Sequence, residues 1–321
     1  MRRIVMRNLT APLAAVALTA AVCMTPTPAL AQGCGDQGVA LQVLGSGGPM
    51  PSARASTGYL LWRGGRAVAL FDAGGGVFLR FGQSGGRVED LRLLAISHLH
   101  PDHTSDVPAL LWQTTFRTEP LPLIGPSGAP LYPPVDVFVD RLLGNAAGAW
   151  PMLSGASAPV QPRVVATVAG EPGVVFDTDG LRVLATGVPH GTAPTLAFRI
   201  EVDDRVIVLG GDQTLSDPAF VGFARNADLL VLHLALSPAA APPSPLIALH
   251  ATPEAVGKAA EASGARGLVL SHVVEPRAGD PAGAVFSSAD RETLVASAQA
   301  VRRSYLGQIT VAEDLQCIVL Q

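Results

Sequence analysis

The chain has 321 residues and a mass of 33.0 kDa; 48% of its residues are hydrophobic, 15% are charged and the mean hydropathy is +0.35. That balance excludes a disordered chain and a coiled coil, since it supplies enough apolar side chains for a packed core. The formal net charge is −4, and no Lys/Arg cluster offers the basic patch that grips a nucleic-acid backbone.

Arg2, Arg3 and Arg7 precede an uncharged apolar run from Leu9 to Met24, and Ala29-Leu30-Ala31 has the small residues that a signal peptidase reads. A signal peptide over residues 1–31, cut after Ala31, is expected, followed by a single domain over residues 32–321. The apolar run is shorter than the roughly 20 residues of a membrane-spanning helix and contains Pro12. Periplasmic or secreted localisation follows. Removing three arginines and no acid lowers the net charge from −4 by three, to −7, which makes nucleic acid an unexpected partner. Cys34 and Cys317 would remain. In an oxidising compartment they are expected to form one disulfide; a lipid anchor on Cys34 is the alternative, because Ala31-Gln32-Gly33-Cys34 is a loose lipobox.

Short apolar runs ended by Gly or Pro predict strands at Val39 to Leu44, Gly58 to Trp62, Ala67 to Phe71, Leu91 to Ile96 and Leu121 to Ile124. Helices are predicted from Val107 to Gln113 and from Val135 to Leu143, and an exposed loop from Gly144 to Pro162. Further strands are read at Val164 to Val168, Gly173 to Phe176, Leu181 to Ala185, Thr195 to Val202 and Arg205 to Leu209, the last two joined by a turn at Asp203-Asp204. Apolar runs at Leu229 to Leu232 and Leu268 to Ser271 have the same character. Between them Thr252 and Pro253 open a helix whose stripe of Ala255, Val256, Ala259 and Ala260 ends at Gly264. A last helix is predicted from Ala289 to Arg303.

Three of the seven histidines fall within Ser97-His98-Leu99-His100-Pro101-Asp102-His103, directly after an apolar run. A loop turning sharply after a strand can aim these side chains into one cavity, and imidazoles with a carboxylate are the ligand set that zinc prefers. His190, Asp212 and His272 each follow an apolar run. They therefore sit at the carboxyl ends of strands, where α/β sheets collect their ligand sites.

The run from His98 to His103 with His190, Asp212 and His272 resembles the metallo-β-lactamase-fold hydrolase superfamily. Val43-Leu44-Gly45-Ser46-Gly47-Gly48-Pro49, Asp72-Ala73-Gly74-Gly75, Gly210-Gly211-Asp212, His250-Ala251-Thr252 and Ser271-His272 resemble its ribonuclease Z and arylsulfatase-like branch. The resemblance implies an α/β fold, a four-layer αββα sandwich with a metal groove at the sheet edges. It implies two zinc ions per chain: His98, His100 and His190 around one, Asp102, His103 and His272 around the other, and Asp212 between them. Asp72 would orient a ligand histidine. The implied activity is hydrolysis by a hydroxide shared by the ions, with Asp102 aiming it and His250 donating a proton or steadying the developing charge.

In the ribonuclease Z branch, the strand matching Leu229 to Leu232 leads to a glutamate, where this chain has His233. The acid–histidine pairing of the RNA enzyme is therefore in doubt here. His233 is left between a contact with His250, a contact with substrate and a mere strand end. A small phosphodiester or sulfate ester is the expected substrate. A lactone or β-lactam is the alternative within the enzyme class, and a metal- or ligand-binding module without turnover is the alternative outside it. The oligomeric state stays open, a homodimer included.

Overall fold

The computed structural model describes residues 34–36, 38–144, 147–151, 160–240, 244–275, 286 and 290–320. The leader expected over residues 1–31 lies outside them. Among the described residues no helix is long and apolar enough to cross a membrane.

Two seven-stranded mixed sheets face one another. The first contains β1 (Val39–Gly45), β2 (Gly58–Arg63), β3 (Arg66–Phe71), β4 (Leu93–Ala95), β5 (Leu121–Pro126) and β6 (Val160–Val165), in that spatial order, with β14 (Cys317–Leu320) outside β1. The second runs β13 (Gln308–Val311), β12 (Gly267–Ser271), β11 (Leu229–His233), β10 (Arg205–Leu209), β9 (Thr195–Val202), β8 (Leu181–Val188) and β7 (Gly173–Thr178). In each sheet an antiparallel half adjoins a parallel half: β3 to β6 in the first and β10 to β13 in the second.

Period-two alternation explains why both faces of both sheets are covered. Leu41, Val43, Tyr59, Leu61, Phe71, Phe198, Ile200, Ile207, Leu229 and Val231 fill the space between the sheets. Their neighbours Ala40, Leu44, Leu60 and Leu70 pack outward against α1 (Val77–Gln83), α3 (Val107–Thr114) and α4 (Val135–Val139). On the other side Val208, Leu230, Leu232, Leu268 and Leu270 pack against α5 (Ala219–Phe223), α6 (Pro253–Ser263) and α7 (Arg291–Arg302). The result is the expected four-layer αββα sandwich.

Local chemistry accounts for several boundaries. The Thr252 side chain accepts from the Ala255 amide and Gly264, at φ 68°, ends α6. Asp203 and Asp204 both adopt positive φ, as a tight two-residue hairpin turn requires. The strand expected from Leu91 to Ile96 is shorter, because Leu91 closes a 3₁₀ turn over Val88–Asp90. The strand expected at Val164 to Val168 instead spans Val160–Val165, so the expected loop from Gly144 ends before Pro162. Pro162 is tolerated there because β6 is an edge strand. The helix expected to Leu143 widens into a π turn over Asp140–Gly144. Asp290 caps α7 through the Thr293 amide, and the expected start at Ala289 lies outside the described residues.

Cys34 and Cys317 form a disulfide across a sequence separation of 283 residues. It ties the start of the described chain to β14 beside β1, and leaves Cys34 no free thiol for a lipid.

Candidate metal centre

The site lies at the carboxyl ends of β4, β8, β10 and β12. β4 ends at Ala95, and the chain then turns through His98 into α2 (Pro101–Thr104), with Pro101 in the first helical position. The turn is held from below: the Thr57 amide donates to the Asp102 carbonyl at 3.1 Å and the Ala73 amide to the His103 carbonyl at 2.8 Å. Only glycine fits at Gly74, where a Cβ would stand 2.0 Å from the Asp102 carbonyl oxygen. His190 follows β8, Asp212 follows β10 after Gly210-Gly211, and His272 follows β12 with φ 54°. All but His100 and Asp102 of the seven expected ligands are fully buried.

One group comprises His98, His100, His190 and Asp212. His190 Nδ1 donates to the Leu249 carbonyl at 2.7 Å, His100 Nε2 lies 3.0 Å from the Tyr132 hydroxyl, and His98 Nδ1 lies 3.0 Å from Ser97 Oγ. The opposite nitrogens therefore turn inward. His100 Nδ1 is 3.0 Å from His98 Nε2 and 3.2 Å from His190 Nε2. Burial and the neighbouring imidazoles hold all three rings below the ordinary histidine range, so they stay neutral with lone pairs to offer. Converging lone pairs beside a carboxylate fit a cation.

The second group comprises Asp102, His103 and His272. His103 Nδ1 donates to Asp72 Oδ2 at 2.8 Å, and the same carboxylate accepts from the Ser97 amide at 2.7 Å and its hydroxyl at 2.8 Å. His103 Nε2 is buried without a hydrogen-bond partner, 3.6 Å from both Asp102 Oδ2 and Asp212 Oδ2. His272 Nε2 is 3.1 Å from Asp102 Oδ2. Burial alone would lower these two histidines. The adjacent carboxylates of Asp102 and Asp212 outweigh it, and both are raised. The pocket favours positive charge, whether a proton or an ion carries it.

Asp212 joins the groups. Its Oδ2 lies 3.4 Å from His190 Nε2, 3.7 Å from His98 Nε2 and 3.6 Å from His103 Nε2. Despite complete burial, the surrounding imidazoles hold its carboxyl well below the usual range. The seven residues expected as ligands thus meet in one groove. Asp72 contacts His103, as expected. His250 reaches the rim: its Nδ1 is 4.0 Å from Asp212 Oδ2 without a hydrogen-bond partner, and burial pushes its pKa down to about 3.

Four contacts were absent from the sequence reading. His233 hydrogen-bonds through Nδ1 to Asp212 Oδ1 and through Nε2 to the Tyr59 hydroxyl, so it does more than end a strand. Tyr132, in the turn after β5, touches His100, and the Leu249 carbonyl fixes His190. Alternation along β2 and β11 could have flagged Tyr59 and His233, since both fall on inward-facing positions; Tyr132 and Leu249 carry no local signal.

A groove at the strand ends of an αββα sandwich, lined by two imidazole–carboxylate groups sharing one aspartate, defines a metal-dependent hydrolase. The profile of the beta-lactamase superfamily domain matches residues 69–273, and the chain belongs to that superfamily, in its ribonuclease Z branch. It is 33% identical over 250 residues to a ribonuclease Z of Mycobacterium sp. (strain KMS), a match spanning 74% of this chain and 85% of that protein. A ribonuclease Z of Mycobacterium marinum is 31% identical over 60% of this chain and 69% of its own length. Among solved structures, the short form of human tRNase Z superposes with a TM-score of 0.66 at 21% identity, over 88% of this chain and 99% of that one. The metallo-beta-lactamase fold protein YhfI from Bacillus subtilis gives 0.65 at 20% identity, over 88% and 100%. These likenesses show a metal-dependent hydrolase acting on ester bonds, and the fold implies a divalent metal that the two ligand groups fit.

Proposed function

We propose that the protein is an exported phosphodiesterase that works with two zinc ions. The observation that carries this reading is Asp212, whose Oδ2 faces both ligand groups at once. His98 Nε2, His100 Nδ1 and His190 Nε2 would hold one ion, Asp102, His103 and His272 the other, and Asp212 both. Bound divalent ions supply the Lewis acidity that activates water near neutral pH and offsets charge on the attacking and leaving oxygens.

The chain's own residues supply order around that chemistry. Asp72 and the Leu249 carbonyl fix the tautomers of His103 and His190, so that Nε2 of each ring faces the groove, where it would offer its lone pair to a metal. Asp102, partly exposed at the groove, is placed to accept a proton from the attacking water. His250, with a free ring nitrogen at the rim, would hydrogen-bond to the oxygen that gains charge. Export is supported by the Cys34–Cys317 disulfide, a bond of oxidising compartments.

The expectation that nucleic acid is an improbable partner is withdrawn. It rested on net charge, an average over the surface, whereas relatives named ribonuclease Z match most of this chain. An RNA phosphodiester is therefore the second reading, ahead of a sulfate ester, a lactone or a β-lactam. The test is a side-by-side assay of an aryl phosphodiester, an aryl sulfate, a lactone, a chromogenic β-lactam and a precursor tRNA, each with and without chelator. Chelator-sensitive turnover of the aryl phosphodiester alone supports the small-substrate reading, and faster turnover of precursor tRNA replaces it with the RNA one. Zinc-loaded protein inert to all five would be a binding module.

A further inference from the structure

We propose that Tyr59 and His233 form a buried positioning pair that fixes the carboxylate of Asp212, engaging Oδ1 so that Oδ2 is the oxygen offered to both ligand groups. This rests on the metal reading above and assigns a role to two residues outside the ligand set.

His233 ends β11, where the alternation that turns Leu229 and Val231 into the space between the sheets turns its ring inward as well. Tyr59 stands on β2 of the opposite sheet, 2% exposed, and its hydroxyl lies 3.2 Å from His233 Nε2. The partners dictate where the protons are. A carboxylate only accepts, so the hydrogen between His233 and Asp212 sits on Nδ1; Nε2 of the neutral ring then bears the lone pair, and the Tyr59 hydroxyl donates into it. Burial supports both assignments, since it holds the His233 imidazole and the Tyr59 phenol in their neutral forms.

The consequence falls on Asp212. Rotation about the bond to a carboxylate is soft, and an untethered Asp212 could turn either oxygen toward the histidines. With Oδ1 held by His233, where it also lies 3.4 Å from His272 Nε2, Oδ2 is left among His98, His103 and His190. Because Tyr59 belongs to one sheet and His233 to the other, the pair also links the two sheets at the site. His233 has a rival role: Asp212, His233 and His272 themselves form a group compact enough to hold an ion.

Zinc affinity of the purified full chain, measured by chelator competition, tests the proposal in wild type, His233→Leu and His233→Asn. The asparagine amide can donate from the place of Nδ1–H, whereas leucine cannot. The expected result is a loss of about ten- to hundredfold for His233→Leu, largely rescued in His233→Asn. Wild-type affinity in His233→Leu overturns the proposal. A wild-type protein that takes up no zinc overturns the metal reading instead, so the two failures are distinct. Should His233→Leu fail to fold, nitrogen NMR of the wild-type histidine rings decides: the ring whose Nε2 resonance moves in Tyr59→Phe should carry its hydrogen on Nδ1 with and without zinc. Loss of that hydrogen on zinc loading makes His233 a ligand and overturns the proposal.

Discussion

Asp72 holds His103 by its outer nitrogen, Oδ2 to Nδ1 at 2.8 Å, and across the same ring Nε2 is buried, unpartnered and 3.6 Å from the carboxylates of both Asp102 and Asp212. One hydrogen bond at the floor of the groove thus decides which nitrogen faces the site. Asp72→Ala should weaken metal binding by about ten- to hundredfold. It should also cost about 1–3 kcal/mol of stability, because the buried Ser97 amide and hydroxyl lose their acceptor. Chelator competition and urea unfolding measure the two effects separately, and unchanged metal affinity would reduce Asp72 to a turn residue.

Gly48 makes a similar point from the other side of the groove. A Cβ there would stand 2.7 Å from Cε1 of His272, so the loop after β1 can lie over the ring only as glycine. Gly48→Ala should displace His272, cost about 1–3 kcal/mol by overpacking, and lower the metal content of the purified protein toward that of the His98 group alone. Metal analysis beside thermal unfolding reads this directly.

His250 separates catalysis from metal binding. Its ring centroid lies 5.3 Å from those of His190 and His272, yet it belongs to neither ligand group. His250→Ala should lower kcat on an aryl phosphodiester by about 10²–10³-fold with metal content unchanged. A fall in metal content would show it to be a ligand.

Metal removal should show in the fold as well as in turnover. A ligand that binds only the native state adds about 2.7 kcal/mol at a hundredfold excess over its Kd, and the buried carboxylate of Asp212 and the half-buried one of Asp102 gain a counter-charge. Stripped protein should therefore melt at a lower temperature and recover on adding zinc. A melting curve indifferent to metal would speak against both ligand groups.

The disulfide closes almost the whole described chain on itself. Cys34→Ser should destabilise the protein by about 2–5 kcal/mol while leaving turnover intact at low temperature, because β14 retains its pairing with β1. Urea titration with and without reductant checks it: wild type in reductant should match the variant.

Much of the fold was legible because strand burial is written in local alternation: β1, β2, β9 and β10 run close to their expected bounds. β13 and β14 were not anticipated, since each is four residues long and earns its place by pairing with a strand far away in sequence. The helices α1, α2 and α5 were missed for a related reason: each is seven residues or fewer, too short for a 3.6-residue period to show.

What the sequence by itself determined is placement: five of the seven histidines, with Asp102 and Asp212, fall just after strands or in one six-residue loop, where local geometry leaves few directions for a side chain. It also determined the layered core and the cysteine pair. Only the tertiary structure decided which nitrogen and which oxygen face the groove. Those choices are made by Asp72, Leu249, Tyr132 and the Tyr59–His233 pair, whose contacts with the site and with each other span 21 to 174 residues of chain. Such contacts exist only once two sheets pack face to face, and no local pattern encodes that distance.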